Sequence, residues 1–503
     1  MTLHLSTAQL DRAAGSLVAM GCGDALGARF EFGPALGRDV DLSMKASATW
    51  ERGEWTDDTS MAVAIAEVSA DGADLLSPAA QDRIAARWAT WAPGAKDVGI
   101  LTGAVLRGAS RAAARKAAER GYDRPTAADC VAAAARYDED HHHKSAGNGS
   151  LMRTAPVALA YLDDPHGLVK AATELSAMTH ADPEAGEACV LWCLAIRHAV
   201  LHASFDGLRK GLGYLPGDRA TVWADRLDEA ERNDPSRFGH NGWVVQALQG
   251  AWSAIHTTQI PDGDPSQRFP AAHLRRGLEA AVRGGKDTDT VAAIAGQLLG
   301  ARWGVSAVPS TWRRALHGWP GLRADDLVRL GVLTARSGKP DNEGWPSGAH
   351  VDYGTWGDSR TLVRHPHDDR VWLSGVGHLA RVPDGVDAVV SLCRLGTDDI
   401  PGEGVAVGDH VQMWLVDSVD PTKNPNLDYV LDDAASAVKS LREEQKTVLL
   451  HCVQAQSRTP TVAALYGAKV TGRSPRDALD DVQRALPKAH PNPAMLAALD
   501  RLS

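Results

Sequence analysis

The sequence lacks the features that would direct it to nucleic acid or to a membrane. The 503 residues carry a formal net charge of −10, so no extended basic surface is expected to attract DNA or anionic lipid. No uninterrupted apolar run reaches the length of a membrane span, and the first sixteen residues have no charged segment followed by an apolar core. We therefore expect no membrane partner and no signal peptide. Local basic pockets stay compatible with this charge, so nucleic acid is disfavoured as a partner without being eliminated.

Cysteine is also scarce. The six cysteines are scattered, and only Cys189 and Cys193 lie close together, at a spacing that puts both on one face of a helix. No further cysteine or histidine pattern completes a set of four metal ligands, so we interpret this pair as core packing. Few, scattered cysteines are typical of a reducing compartment, and we expect a cytoplasmic protein.

The length exceeds that of one ordinary core, which predicts a multidomain protein. Residues 1–334 are rich in Ala and Leu with helical periodicity and predict an all-α domain. Residues 335–352 are rich in Gly, Pro and polar residues, which is typical of a linker. In residues 353–503 short apolar segments alternate with helical stretches, which predicts an α/β domain with a mainly parallel sheet. In the first domain, glycines at 296, 300 and 304 predict a helix that another helix approaches closely.

Two short acidic strings share one composition: Thr56-Asp57-Asp58-Thr59 and Asp287-Thr288-Asp289-Thr290. Each precedes an apolar helical run. Carboxylate and hydroxyl oxygens are the ligands that Mg²⁺ or Mn²⁺ prefers, and two such cations about 3.5–4 Å apart can clamp a reacting substrate. The alternative is a pair of plain helix caps. Two carboxylates in each string, the repetition, and a preceding glycine pair at 284–285 favour a metal site.

Three further segments have the composition of a site. The glycine-rich run 21–27 leads to Glu31, and its alternative is a glycine-rich helix end. Gly147-Asn148-Gly149-Ser150 precedes a helical run, where it could cap the helix or present free N–H groups to a diphosphate. His180 ends a helix, and its alternative is a capping or core histidine.

Together these motifs resemble the ADP-ribosylglycohydrolase family of the dinitrogenase-reductase-activating type. The motifs GDALG with a following Glu, WTDDT, GNGS-MR, TH and GG-DTDT occur in the order of that family, over about residues 10–305. The resemblance implies an all-helical fold and a binuclear Mg²⁺ site, with Mn²⁺ as the alternative. It also implies hydrolysis of the N- or O-glycosidic bond that joins ADP-ribose to a side chain of a protein or to a small molecule.

The resemblance also implies roles for single residues. Glu31 would act in catalysis or gating, and the attacking water would be activated either by a metal or by Glu31. One departure from the family is Lys286, inserted before the second acidic string, which we expect to point to solvent. The implied metal ligands are Thr56, Asp57, Asp58, Asp287, Asp289 and Thr290, and the implied substrate-binding residues are Gly147, Asn148, Gly149, Ser150 and His180.

A second site is predicted near the carboxyl end of the sequence, in HCVQAQSRT. Cys452 and Arg458, separated by five residues, lie between a predicted strand and a predicted helix. Such a loop points successive N–H groups inward and binds a phosphate dianion. The helix dipole and nearby positive charge favour a Cys452 thiolate nucleophile, while Arg458 would grip two phosphate oxygens. The alternative is a buried structural cysteine.

This segment resembles the signature of the cysteine-dependent tyrosine and dual-specificity phosphatases, over about residues 355–490. The resemblance implies that Ser457 and Thr459 contact the phosphorylated substrate and that the general acid is Asp417, with Asp420 as second choice. Ala455 departs from the family, which usually has Gly there. If this position requires a positive φ, Ala strains the loop by about 1–2 kcal/mol.

Two hypotheses follow. In the first, the protein is a bifunctional hydrolase whose all-α domain removes ADP-ribose and whose α/β domain, with catalytic Cys452, Arg458 and Asp417, hydrolyses a phosphomonoester. In the second, the α/β domain only binds phosphate, because Ala455 impairs turnover. A purely structural role is a third, weaker hypothesis.

Overall fold

The computed structural model describes residues 4–121, 123–261, 269–356 and 360–503. Within these ranges, no helix combines the length and the apolar character needed to cross a membrane. Up to residue 335, the regular secondary structure of the described residues is helical apart from one antiparallel pair of two-residue strands, β1 (His317–Gly318) and β2 (Leu322–Arg323). The helices are α1 (Thr7–Gly27), α2 (Asp57–Ala70), α3 (Pro78–Trp91), α4 (Ile100–Arg120), α5 (Ala127–Asp140), α6 (Ala155–Ala160), α7 (Pro165–Ala177), α8 (Pro183–His202), α9 (Gly207–Gly211), α10 (Gly217–Arg232), α11 (Val244–Thr257), α12 (Ala272–Arg283), α13 (Thr288–Trp303), α14 (Ser310–Ala315) and α15 (Ala324–Ala335).

Helices α1 and α13 form the centre of the helical region, and glycines let their backbones touch. A Cβ atom at Gly296 would overlap the carbonyl oxygen of Ala19, and one at Gly300 would overlap that of Gly15. The predicted close approach is therefore confirmed for these two glycines. Gly304 follows the last residue of α13 with a φ of 87°, and a Cβ atom there would overlap Asp11 Oδ2 of α1, so this glycine also permits the approach. The close approach brings the end of α1 against the start of α13.

The sheet lies in the C-terminal region, which has strands β3 to β7 and helices α16 to α19. Its strand order is β3-β4-β7-β5-β6, with β7 in the middle. The strand bounds are β3 (Leu362–His365), β4 (Asp368–Gly375), β5 (Ala388–Ser391), β6 (His410–Gln412) and β7 (Val448–Cys452), and the helix bounds are α16 (Leu427–Glu443), α17 (Arg458–Thr471), α18 (Pro475–Ala485) and α19 (Pro493–Arg501).

The predicted mainly parallel sheet is observed in part, because the sheet is mixed. The pairs β4–β7, β7–β5 and β5–β6 are parallel, whereas β3 pairs antiparallel with β4. Only two residues separate β3 from β4, and so short a connection can join antiparallel strands but not parallel ones. At the carboxyl edge of the parallel strands, Cys452 pairs with Gly375. Ligands of α/β sheets bind at this edge.

The two regions pack against each other beyond the end of α13. Asn426 Nδ2 donates to the carbonyl oxygen of Trp303 at 2.6 Å. Asp433 on α16 accepts from the backbone N–H and the hydroxyl of Ser310, at 3.0 and 2.8 Å. Helix α13 therefore connects the inside of the helical region with its contact to the sheet region. The predicted domain boundaries at 334 and 353 stay a prediction.

Candidate active sites

Both acidic strings lie where a helix begins, and the fold brings the two helix ends together. Carboxylate oxygens of Asp24, Asp58 and Asp289 lie within 4.8 Å of one another. A second group with the same spacing consists of Glu31, Asp287 and Asp289. Asp289 therefore belongs to both groups. A Cβ atom at Gly27 would lie 2.5 Å from the Cα of Asp289, so the glycine-rich end of α1 allows this approach.

Asp24, on the last turn of α1, holds the first string in place. Its Oδ1 accepts from the backbone N–H of Thr56 at 2.9 Å, and its Oδ2 accepts from the N–H and hydroxyl of Thr59 at 3.0 and 2.6 Å. Asp24 therefore caps helix α2 from a neighbouring helix. It was not among the residues predicted for the site. A single carboxylate within an apolar, glycine-rich helical segment was the available signal.

The electrostatics of the site favour a bound cation. Burial and neighbouring carboxylates raise the pKa values of Asp58 and Asp289 well above their usual range. Burial, together with Asp97, raises the pKa of Asp57 to about 7. Burial, together with Asp287, raises that of Glu31 to about 8.

An unpartnered oxygen points to the same conclusion. Asp58 Oδ2 accepts from the Thr56 hydroxyl at 2.9 Å. Among the described residues, however, no hydrogen-bond donor reaches the buried Asp58 Oδ1. A divalent cation would both bind this oxygen and relieve the repulsion between the carboxylates, so this set of oxygen ligands fits Mg²⁺ or Mn²⁺.

The predicted metal ligands do not all belong to the two carboxylate groups. Asp58, Asp287 and Asp289 fall within the two carboxylate groups, whereas Asp57 falls in neither. Asp57 Oδ2 instead accepts from the backbone N–H of Gly99 at 3.1 Å. Thr290 is buried, and its N–H donates to Asp289 Oδ1 at 3.0 Å. The inserted Lys286 is exposed, with a φ of 66°.

The loop 147–150 is bound to the second string by asparagines. Asn148 Nδ2 donates to Asp287 Oδ2 at 2.7 Å and to the carbonyl oxygen of Asn241 at 2.8 Å. Asn241 Oδ1 accepts in turn from the N–H of Asp287 at 3.1 Å. Asn241 was not predicted, and the turn-forming sequence GHNG around it was its only signal. Ser150 faces away, since its hydroxyl accepts from Ser176 inside the core at 2.9 Å.

His180 lies beneath this loop. A Cβ atom at Gly147 would lie 3.2 Å from His180 Nε2, and one at Gly149 would lie 3.0 Å from its Cε1. Burial, with a contribution from the nearby Arg153, lowers the pKa of His180 to about 3. The imidazole is therefore neutral at physiological pH, and it supports the two glycines from inside the fold.

The predicted phosphate loop connects the end of β7 with the start of α17. Cys452 is buried at the last position of β7, and Arg458 is the first residue of α17. Arg458 Nη1 donates to the carbonyl oxygens of Leu392 and Leu415, at 2.6 and 3.2 Å. Within the described ranges, the buried Arg458 Nε has no hydrogen-bond acceptor. The guanidinium is thus anchored by one nitrogen and keeps another donor for an anion.

The two candidate general acids differ in their surroundings. Asp417 Oδ1 accepts from Ser457 Oγ at 2.8 Å and from Asn492 Nδ2 at 2.7 Å, and Oδ2 lies 3.7 Å from Arg458 Nε. Asp420 instead caps the short turn that follows it, where its Oδ1 accepts from a backbone N–H and a hydroxyl. Of the two carboxylates, Asp417 is therefore the one bonded to the phosphate loop.

A chain of buried hydrogen bonds leads from His410 to the backbone of Cys452. His410 Nδ1 accepts from the Gly402 N–H at 3.0 Å, so its proton is on Nε2, which lies 2.7 Å from Ser391 Oγ. The Ser391 hydroxyl is then free to donate to His451 Nε2 at 2.6 Å. His451 carries its own proton on Nδ1, which faces the carbonyl oxygen of Cys452 at 3.4 Å. Both imidazoles are neutral because burial lowers their pKa values, to about 3 for His410 and about 4 for His451.

Ala455 and Thr459 are two further residues predicted for this site or its loop. Ala455 has a φ of 57°, so this position does adopt the left-handed conformation that favours glycine. Thr459 is fully buried, and its hydroxyl has no partner among the described residues.

Comparison with known proteins decides the family of the helical region. The sequence profile of the family described as ADP-ribosylglycohydrolase matches residues 5–341. The chain belongs to the ADP-ribosylglycohydrolase family. This membership supports hydrolysis of a glycosidic bond of ADP-ribose. The narrower resemblance to the dinitrogenase-reductase-activating type stays a prediction.

Two relatives and one solved structure are similar to the helical region of this glycohydrolase. The ADP-ribosylarginine hydrolase Tri1 of Pseudomonas putida (strain GB-1) is 29% identical over 315 residues, which cover 60% of this chain and 73% of the relative. The ADP-ribosyl-[dinitrogen reductase] glycohydrolase of Rhodospirillum rubrum is 26% identical over 314 residues, covering 60% and 89%. A solved structure titled "ADP-ribosylglycohydrolase-related protein complex" superimposes with a TM-score of 0.50 at 27% identity, covering 66% of this chain and 99% of the other.

The C-terminal region of the glycohydrolase has weaker likenesses. The crystal structure of human DUSP28 is 22% identical and covers 29% of this chain and 96% of its own, with a TM-score of 0.25. A likeness of this size carries no argument about activity. Any statement on the chemistry of this region must therefore come from its own residues.

Proposed function

We propose that the helical region is a metal-dependent hydrolase that cleaves the bond between ADP-ribose and a modified side chain, with ADP-ribosylarginine as the first candidate substrate. The observation that carries this proposal is the pair of carboxylate groups joined at Asp289, next to the loop of Asn148. Two divalent cations, Mg²⁺ or Mn²⁺, suit this donor set. The name of the Tri1 relative supports the choice of arginine.

The chain's own residues supply positioning and proton transfer. When bound, the cations would supply charge stabilisation for the ribose oxygens as the glycosidic bond breaks. Asp58, Asp287 and Asp289 would hold them, while Asn148 fixes the orientation of Asp287. Glu31 is half-buried in the second of these groups, and once bound cations offset the neighbouring carboxylates that raise its pKa, the ionised side chain would orient the attacking water and accept its proton. The proton finally needed by the departing side chain comes from the same water.

The test is release of free ADP-ribose from an arginine-ADP-ribosylated protein, first with Mg²⁺ and then with EDTA. We expect release that EDTA abolishes and that Mg²⁺ in excess restores. An Asp289→Ala variant should lose this activity, whereas an exposed Asp163→Ala variant should keep it. No release from arginine, serine or small-molecule conjugates by a metal-loaded protein would contradict the proposal.

We propose further that the sheet region is a cysteine-dependent phosphatase. Cys452, as thiolate, would attack the phosphorus of a monoester, and the P–O bond to the leaving group would break while Asp417 donates a proton to that group. Water would then hydrolyse the phosphocysteine, returning the proton to Asp417 and releasing inorganic phosphate. Arg458 would hold the phosphoryl oxygens. The supporting observation is the buried Nε of Arg458, which has no hydrogen-bond acceptor among the described residues, lies 3.7 Å from Asp417 Oδ2 and lines the same cavity as Cys452.

A non-catalytic phosphate-binding module is the second candidate for this region, and the positive φ of Ala455 favours it. Turnover of an aryl phosphate decides between the two. Turnover that is lost in Cys452→Ser but kept in Asp289→Ala supports two independent sites. If the wild-type protein binds inorganic phosphate but releases none from the aryl ester, the binding module is correct.

A further inference from the structure

A cavity of about 560 Å³ opens from the phosphate loop, and three parts of the chain surround it. The residues that line it include Cys452 and Arg458 of the phosphate loop and Arg323 and Arg329 of the glycohydrolase region. Further lining residues come from the segment 343–356, which connects the two regions. The cavity therefore exists only where both regions and their connection meet.

The connecting segment forms a fixed side of this cavity. Trp345 is buried, and its ring packs edge-to-face on that of Trp414, with centroids 5.5 Å apart. The guanidinium of Arg394 lies 4.2 Å from the centroid of the Trp345 ring. The Tyr353 hydroxyl donates to the carbonyl oxygen of Arg394 at 2.7 Å. We call Trp345, Tyr353, Trp356 and Trp414 the aromatic wall, since all four line the cavity.

One member of the aromatic wall is largely exposed. Trp356 is 59% exposed, although its backbone carbonyl oxygen accepts a hydrogen bond from Gln454 of the phosphate loop. This bond ties the backbone of Trp356 to the loop, and among the described residues a face of its ring is accessible. Such a face stacks on flat rings, and base–aromatic stacking is worth about 1–3 kcal/mol.

We infer that the phosphatase site takes a small phosphomonoester of nucleotide size with a flat heteroaromatic ring, not a phosphorylated protein. The inference rests on the proposed phosphatase activity. The cavity volume lies within the range of about 300–1,000 Å³ that small-molecule sites have. Because Arg323 and Arg329 of the glycohydrolase region line the same cavity as Cys452, that region also bounds the space open to a ligand on the phosphate loop. The ring stacks on Trp356 while the phosphate lies on the loop, and the products are the nucleoside and inorganic phosphate.

The test uses the full chain and four substrates: AMP, glycerol 3-phosphate, a phosphotyrosine peptide and 4-nitrophenyl phosphate. We expect kcat/KM for AMP to exceed that for the peptide at least tenfold. A Trp356→Ala variant should lose about 5- to 150-fold in kcat/KM on AMP, the equivalent of the stacking free energy, and at least five times less on glycerol 3-phosphate. A Phe32→Ala variant, which removes a 79% exposed ring from the other region, should match the wild type on both.

The results that contradict this inference differ from those that contradict the proposed phosphatase. A peptide preference, or an equal loss on AMP and glycerol 3-phosphate in the Trp356 variant, would overturn the inference while leaving the phosphatase intact. If none of the four substrates releases phosphate, the proposed phosphatase is wrong. Calorimetric titration of AMP into the Cys452→Ser protein then still decides the ligand class. Binding that Trp356→Ala weakens at least fivefold would support it, and no binding would overturn it.

Discussion

Replacing Asp58 by Asn should change the stability of the protein in opposite directions without and with Mg²⁺. Oxygens of Asp58, Asp24 and Asp289 lie within 4.8 Å of one another. At an effective dielectric constant of about 20, two ionised carboxylates at that distance repel by about 3.5 kcal/mol. The raised pKa of Asp58 means that its ionisation in the folded state costs free energy at neutral pH. Partial protonation already relieves some repulsion, so we expect Asp58→Asn to stabilise the metal-free protein by about 1–3 kcal/mol.

A saturating cation reverses this order. Binding to the folded state alone adds about 2.7 kcal/mol of stability when the free cation is at 100 times its Kd. The wild-type protein gains this increment, whereas Asp58→Asn loses a ligand and gains little of it. Release of ADP-ribose should also fall by at least a hundredfold, because the site no longer holds its full charge.

Thermal unfolding of both proteins in EDTA and in excess Mg²⁺ measures the effect. The variant should unfold at a higher temperature than the wild type in EDTA and at a lower one in Mg²⁺. Asp163→Asn, an exposed carboxylate outside the cluster, is the matched control and should follow the wild type in both buffers. An Asp58→Asn protein that is less stable than the wild type in EDTA, or that gains as much from Mg²⁺, would refute the repulsion argument.

Two further predictions concern the sheet region. Ala455→Gly relieves about 1–2 kcal/mol of strain but adds flexibility to the unfolded chain and removes a buried methyl group. Stability should therefore change by less than about 1 kcal/mol, while turnover of an aryl phosphate rises several-fold. The control Ala203→Gly, at a φ of 53° in the helical region, should leave turnover unchanged. Hydrogen bonds from Arg314 lower the pKa of Glu444 to about 2, so this contact stabilises the fold at neutral pH and loses its effect as the pH falls from about 4.5 towards 2. Because Glu444 is partly exposed, Glu444→Gln should lower the free energy of unfolding by no more than about 1 kcal/mol at pH 7. The difference from the wild type should be smaller at pH 3. The exposed Glu443→Gln control should show no such pH-dependent difference.

Local sequence patterns predicted the parts of the fold that depend on neighbours in the chain. The acidic strings precede apolar runs with helical periodicity, and both strings are found where α2 and α13 begin. The spacing of Gly296 and Gly300 predicted the close approach of a second helix, because only the absence of Cβ atoms permits it. At Ala455, comparison with the phosphatase signature named the one position where a positive φ would cause strain, and the φ there is positive.

Other site residues could not be predicted because their roles depend on distant partners. Asp24 acts on Thr56 and Thr59, more than thirty residues away, and nothing near it in the sequence indicates a cap for another helix. Asn241 bonds to the backbone of Asp287, 46 residues further on. Such contacts follow from the packing of whole helices, which a single sequence does not specify. The antiparallel strand β3 was not predicted either, although its two-residue connection to β4 is local.

The connecting segment shows why composition alone can mislead about rigidity. Glycine, proline and polar residues in 335–352 are typical of a flexible linker, yet Trp345 within it is buried against Trp414. A tryptophan ring buries about 150–250 Å², which at about 25 cal/mol per Å² stabilises the segment by about 4–6 kcal/mol. That matches or exceeds the backbone entropy of two or three ordered residues, at about 1–2 kcal/mol each. Because Trp345, Tyr353 and Trp414 are packed before a ligand arrives, only Trp356 of the aromatic wall has to be ordered on binding, and the cavity is suited to a small molecule.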